Sequence, residues 1–139
     1  MLKSSTTVRI RYSETDQMHF VYNGKYFEFF EVGRAEMMRD LNLTYKEIEE
    51  RGYGMPVIET FIKFKNPAFY DELLEIECRV EKLPDLRVHI DHTITCPERS
   101  KVIVEGYVEL VFVDAATKKL SKPPEFFVNA IKPFFENTK

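Results

Sequence analysis

Asp16 stands in a run of polar turn residues, Ser13-Glu14-Thr15-Asp16-Gln17, shortly before a segment dense in aromatics that begins at Tyr22. A carboxylate in a turn can act as a general base or as a nucleophile. The start of a helix supplies the complementary part. Its first N–H groups lack intrahelical acceptors and together carry roughly half an elementary positive charge. Side by side, the acid can attack a carbonyl and the helix-start N–H groups can hold the oxyanion that forms. The same residue type also serves as a plain turn acid or helix cap, because Asp is favoured in both roles.

The elements that must position this pair can be read from the patterning. Thr7 to Tyr12 alternates, with Val8, Ile10 and Tyr12 on one face, which predicts a half-buried strand. From about Tyr22 to Leu41 the pattern is helical. Tyr26, Phe30, Gly33, Met37 and Leu41 form a stripe that Phe27, Phe29, Val32 and Met38 widen. Gly33 costs up to about 1 kcal/mol inside a helix, so close packing against a neighbouring backbone is expected there. Glu31 and Arg34, three apart, suit an ion pair. Thr44-Tyr45-Lys46-Glu47 reads as a capping box opening a short helix to about Arg51, stopped by Gly52.

Four mostly meandering strands follow. The first puts Ile58, Thr60, Ile62 and Phe64 on one face. The second alternates Leu74, Ile76, Cys78 and Val80 with charged residues. The third sets Leu86, Val88, Ile90, His92, Ile94 and Cys96 against Arg87, His89, Asp91, Thr93 and Thr95. The fourth, Val102 to Asp114, is apolar on both faces in its second half, as a central or interface strand would be. Pro123-Pro124 opens a last helix with Phe127, Ala130, Ile131 and Phe134 on one side, ended or bent at Pro133. One α+β domain over residues 1–139 accommodates this order, as an antiparallel sheet wrapped around the long aromatic helix.

Composition narrows the function classes. The chain is 44% apolar and 31% charged, an ordinary globular balance, and its net charge of −3 offers no basic footprint for nucleic acid. Met1 to Thr6 contains no apolar leader core, and no stretch approaches the roughly 20 apolar residues of a membrane span, so a cytoplasmic chain is expected. Cys78 and Cys96 are then expected to be reduced core thiols. His19, His89 and His92 are scattered without metal-ligand spacing, so no metal site is expected. His92, on an apolar face, reads as a hydrogen-bonded core histidine; His89 faces the other way, toward solvent or an interface. Phosphate-binding glycine loops and the serine-hydrolase elbow are absent.

Five segments resemble a known family. Glu14-Thr15-Asp16-Gln17-Met18, Val21-Tyr22-Asn23-Gly24-Lys25-Tyr26-Phe27 and Phe29-Phe30-Glu31-Val32-Gly33-Arg34 are similar to the signature of the 4-hydroxybenzoyl-CoA thioesterase family of hot-dog-fold proteins. Lys65 to Leu73 and Glu105 to Asp114 are similar to its later segments, in the same order and spacing. The resemblance implies a hot-dog fold, with five antiparallel strands around the long helix and a C-terminal helix.

It also implies an acyl-CoA thioesterase in which Asp16 is the catalytic aspartate, as general base or as nucleophile. The oxyanion donor would be a backbone N–H at Asn23, with Gly24 beside it. Tyr22 and Tyr26 could line an acyl pocket, with His19 at its mouth. His19 stands where many relatives carry glycine, and Asn23 where many carry His or Tyr; Asn23 can donate a hydrogen bond but cannot titrate. No cofactor is implied, since CoA belongs to the substrate. A homodimer or homotetramer with its site at the subunit interface is expected. Lys63, Lys65, Arg87, Arg99 and Lys101 either meet CoA phosphates or form a solvated charged face. A non-catalytic acyl- or CoA-binding dimer and a thioesterase for acyl-carrier-protein substrates remain open beside the main reading.

Overall fold

The computed structural model describes residues 1–136 of the 139. The elements run β1 (Leu2–Arg9), α1 (Lys25–Asp40), α2 (Tyr45–Glu50), β2 (Tyr53–Gly54), β3 (Val57–Phe64), β4 (Leu73–Val80), β5 (Arg87–Cys96), β6 (Lys101–Asp114), β7 (Leu120–Ser121) and α3 (Glu125–Ile131). Five long strands make one antiparallel sheet in the order β1-β4-β5-β6-β3, and the two-residue strands β2 and β7 extend it at the far end of β6. The sheet therefore meanders only from β4 to β6. β3 crosses over to pair with β6, a non-local choice that alternation alone does not reveal.

Period-two patterning explains the inner face. Leu74, Ile76, Cys78 and Val80 of β4 and Val88, Ile90, His92, Ile94 and Cys96 of β5 are buried, while their neighbours are half exposed. Leu86 falls before β5 and stays exposed. Helix α1 packs across β1 and β4 and buries Tyr26, Phe29, Phe30, Gly33, Arg34, Met37 and Met38. Phe27 and Val32, expected to widen the apolar stripe, are exposed instead. The helix starts at Lys25, three residues later than the sequence suggested. Gly33 admits close packing as expected, but against side chains. A Cβ there would lie 2.7 Å from Ile76 Cγ2 and 2.8 Å from Cys78 Sγ.

Glu31 and Arg34 do not pair. The ion pairs within α1 are Lys25–Glu28 and Glu36–Arg39, while Arg34 turns inward. At α2, the Thr44 hydroxyl accepts the Glu47 N–H at 3.2 Å and reaches the Glu47 carboxylate at 3.4 Å, so the cap forms on the threonine side of the box. Helix α3 follows Pro124, and Pro133 lies in the 3₁₀ turn that ends it. Cys78 and Cys96 are buried free thiols, and burial raises the Cys78 pKa to about 12, which leaves an unreactive thiol.

β3 is the exposed edge. Of the face expected to be buried, Ile62 packs against the core but Ile58 and Phe64 are about half exposed, as are Val57 and Phe61, so this strand is not covered within one chain. Gly106 of β6 lets both the β3 backbone and the Phe30 ring of α1 approach β6 closely, because a Cβ there would collide with the Phe61 carbonyl oxygen and sit 3.1 Å from the Phe30 ring. Gly106→Ala is therefore expected to destabilise the fold by about 1–3 kcal/mol. Urea denaturation would show this as a lower midpoint; an unchanged midpoint would mean the edge moves aside without cost.

Candidate active site

The segment between β1 and α1 folds back on itself before the helix begins. Thr15 bridges Val21 in antiparallel fashion, and the Tyr22 N–H donates to the Glu14 carbonyl at 2.9 Å. At the tip, the Asp16 N–H donates to the Phe20 carbonyl and the His19 N–H donates to the Asp16 carbonyl, both at 2.9 Å. Asp16 Oδ1 accepts the Met18 N–H at 2.8 Å, which closes an Asx turn. This bond holds the carboxylate at the tip, where Asp16 is exposed. Its second oxygen has no hydrogen-bond partner among the described residues. It is free to take a proton or to attack.

His19 adopts a left-handed φ of 67°, a conformation glycine reaches without penalty and other residues seldom adopt. Its exposed side chain leaves it as a loop histidine at the tip.

The start of α1 lies at the other end of this loop. Gly24 holds the cap position and the Asn23 side chain makes no capping bond, so the alternative role of Asn23 as a simple N-cap is not realised. The N–H groups of Asn23 and Gly24 have no acceptor among the described residues. These are the orphan donors a helix start provides. The Tyr22 ring lies over Gly24, where a Cβ would come within 2.8 Å of it; Tyr22 is otherwise exposed.

A cavity of about 210 Å³ opens beside the helix start, lined by Phe20, Val21, Asn23, Tyr26, Phe64 and the 65–67 segment. Tyr26 is buried and packs edge-on against Phe29, with Phe64 tilted 5.8 Å from it. Burial pushes its pKa up to about 12; a hydrogen bond with the Ala68 backbone pulls it down, and the Glu72 and Asp16 carboxylates push it further up. Tyr26 is thus a neutral wall near the Asp16 charge. Asn23 and Tyr26 line this cavity, Gly24 caps the helix beside it, and Asp16 and His19 lie at the loop tip.

Sequence reasoning missed the clamp that fixes the loop from below. Val21 donates to the Ala68 carbonyl and Phe20 bridges Phe69. The 67–72 segment is in turn tied to Arg99, which donates to Glu72 at 2.6 and 3.0 Å and to the Pro67 carbonyl at 2.9 Å, with its guanidinium 5.3 Å from the Phe69 ring centre. Burial would raise the Glu72 pKa, but hydrogen bonds from Arg99, the Phe69 N–H and Cys96 lower it on balance. Arg99, a candidate for CoA phosphate, is thus committed to the scaffold, and Arg87 is bound to Glu109 at 2.9 Å. Lys65 lines the cavity, with Glu105 3.9 Å away. No signal in the sequence joins positions 72 and 99.

A single antiparallel sheet around one long helix, with an acid-bearing turn in the loop that leads into that helix, is the hot-dog architecture. The family model for the thioesterase-like superfamily matches residues 10–131, and the chain belongs to that superfamily. It is similar to the acyl-CoA thioesterase YbgC of Haemophilus influenzae, at 27% identity over 136 residues that cover 97% of this chain and 96% of that protein. It is 36% identical over 78 residues to YneP of Bacillus subtilis, a match spanning 56% of each protein's length. Among solved structures, the DHNA-CoA thioesterase of Staphylococcus aureus superposes with a TM-score of 0.88 at 29% identity, covering 96% of this chain and 89% of that one. No helix among the described residues is long and apolar enough to cross a membrane.

Proposed function

We propose that the protein is an acyl-CoA thioesterase acting in the cytoplasm, with Asp16 as general base or nucleophile. The observation that carries this reading is an exposed Asp16 carboxylate with one unpartnered oxygen, on the same loop whose other end presents the unpartnered N–H groups of Asn23 and Gly24 at the start of α1. In the base route, Asp16 takes a proton from water as the water oxygen bonds to the thioester carbon. The carbonyl oxygen becomes an oxyanion held by the two N–H groups. The C–S bond then breaks, and the thiolate leaves as CoA once protonated. In the nucleophilic route, the Asp16 carboxylate bonds to the thioester carbon, the C–S bond breaks and the CoA thiolate leaves, and water then hydrolyses the mixed anhydride to the free acid and the Asp16 carboxylate. Tyr26 walls the acyl side, Tyr22 shields the helix start and His19 stands at the mouth.

The exposed apolar edge of β3 supports a homodimer, since an uncovered edge strand invites pairing. A second copy would cover Phe61 and Phe64 and close the open side of the cavity beside Phe64; two such dimers would make a tetramer.

Thiol release from matched acyl-CoA and acyl-carrier-protein thioesters tests the substrate class. Turnover of the CoA esters, with the carrier-protein esters slower, is the expected result. The reverse preference would transfer the site to carrier-protein substrates.

A further inference from the structure

Arg34 is buried to 7% exposure on the inner side of α1, and its Nε has no hydrogen-bond partner. None of the ion pairs among the described residues includes it. Arg34 donates to the Tyr45 hydroxyl oxygen, and the buried Cys78 and His92 that feel its charge are neutral. A guanidinium removed from water without a counter-charge is a costly arrangement. Here it also faces open space. Arg34 lines two adjoining cavities, of about 390 and 240 Å³, between α1, α2 and the β2–β3 edge. Their walls include Ile48, Met55, Val57 and Leu110, which suit a hydrocarbon chain. Three carboxylates also line these cavities, Glu31 in both, Glu49 in the larger and Glu28 in the smaller; all three are exposed, where solvent screens their charge, whereas Arg34 is buried.

A planar guanidinium in a cleft with apolar walls on one side selects for a carboxylate, which it can hold through two parallel hydrogen bonds. Arg34 lies ten residues beyond Gly24 on the same helix, about 15 Å along its axis. A ligand stretching from the helix start would reach it only with an extended chain. We propose that the Arg34–Tyr45 cleft receives the distal carboxylate of a dicarboxylic acyl group. This assignment rests on the thioesterase reading and names a substrate class for it.

The test compares suberoyl-CoA with octanoyl-CoA and dodecanedioyl-CoA with lauroyl-CoA in a thiol-release assay. Wild type is expected to favour at least one acid-ended member over its methyl-ended partner by about tenfold in kcat/KM, the scale of a charge-assisted hydrogen bond. The difference should lie mainly in KM. Arg34→Gln should abolish the preference, and Arg34→Lys should keep part of it. Because removing a buried charge can unfold the chain, calorimetry on the wild-type protein gives an independent reading, in which free suberate binds and octanoate binds more weakly. Equal rates for the paired esters, with no suberate binding, would overturn the proposal while leaving thioester hydrolysis standing. Loss of the dimer in Arg34→Gln, with the substrate ratio unchanged, would also overturn it and place Arg34 in the subunit interface. If no acyl-CoA is cleaved, the thioesterase reading falls, and suberate binding alone decides whether the cleft takes a carboxylate.

Discussion

Asp16→Asn is expected to lower kcat for thioester hydrolysis by roughly a hundred- to ten-thousandfold, the range over which a positioned acid–base group contributes. Asparagine keeps the shape and the oxygen that accepts the Met18 N–H, so the turn should persist. It cannot take a proton from water at neutral pH, nor attack as a carboxylate. The N–H donors of Asn23 and Gly24 are backbone groups and survive the change. Substrate binding should therefore persist while the chemical step fails. A large fall in kcat with KM and thermal midpoint nearly unchanged is the signature to look for. Equal rates in the two proteins would remove Asp16 from the mechanism.

Acid should destabilise the protein through His92. This side chain is fully buried, stacks on Phe30 at 4.3 Å and 10°, and contacts Cys78 Sγ through Nδ1 at 3.2 Å, while Nε2 has no partner. Burial pushes its pKa down to about 3, helped by the charges of Arg34, Arg79 and His89. The folded pKa lies below the ordinary unfolded value near 6.5, so the unfolded chain binds the proton first. The neutral-His92 contribution to stability is complete above about pH 6.5 and is lost as the pH falls toward 3. The loss is on the order of 4 kcal/mol, a large part of the stability of a domain this size. Glu72 and Glu77, whose pKa values are lowered in the fold, also contribute in acid. The informative quantity is thus the difference between wild type and His92→Gln. Urea unfolding at a series of pH values should give a steeper acid loss for wild type. Parallel curves would mean that His92 is protonated without cost.

The sequence exposed those parts of the molecule that obey local periodicity. β4 and β5 alternate because one face meets α1 and the other meets solvent, and the aromatic stripe of α1 lies where it packs on the sheet. The loop acid was legible because a turn has a chemical signature, whereas the helix start was read three residues early because no side chain caps it. β3 was misjudged because burial of an edge depends on what lies beyond it, and its alternation is that of a strand awaiting a partner. Arg34 looked like one half of an ion pair because spacing says which residues are near, not which way a long side chain turns. The Glu72–Arg99 clamp links positions 27 residues apart and has no local pattern. Backbone donors such as those of Asn23 and Gly24 leave no mark in a side-chain sequence at all. They follow only from knowing where the helix begins.

The most direct test of the central claim measures two quantities on one preparation of the wild-type protein: binding of CoA by calorimetry and release of thiol from an acyl-CoA. The account predicts sustained, multiple-turnover thiol release that falls with Asp16→Asn. CoA binding without hydrolysis of any acyl-CoA would contradict it and identify a hot-dog module that holds its ligand without cleaving it.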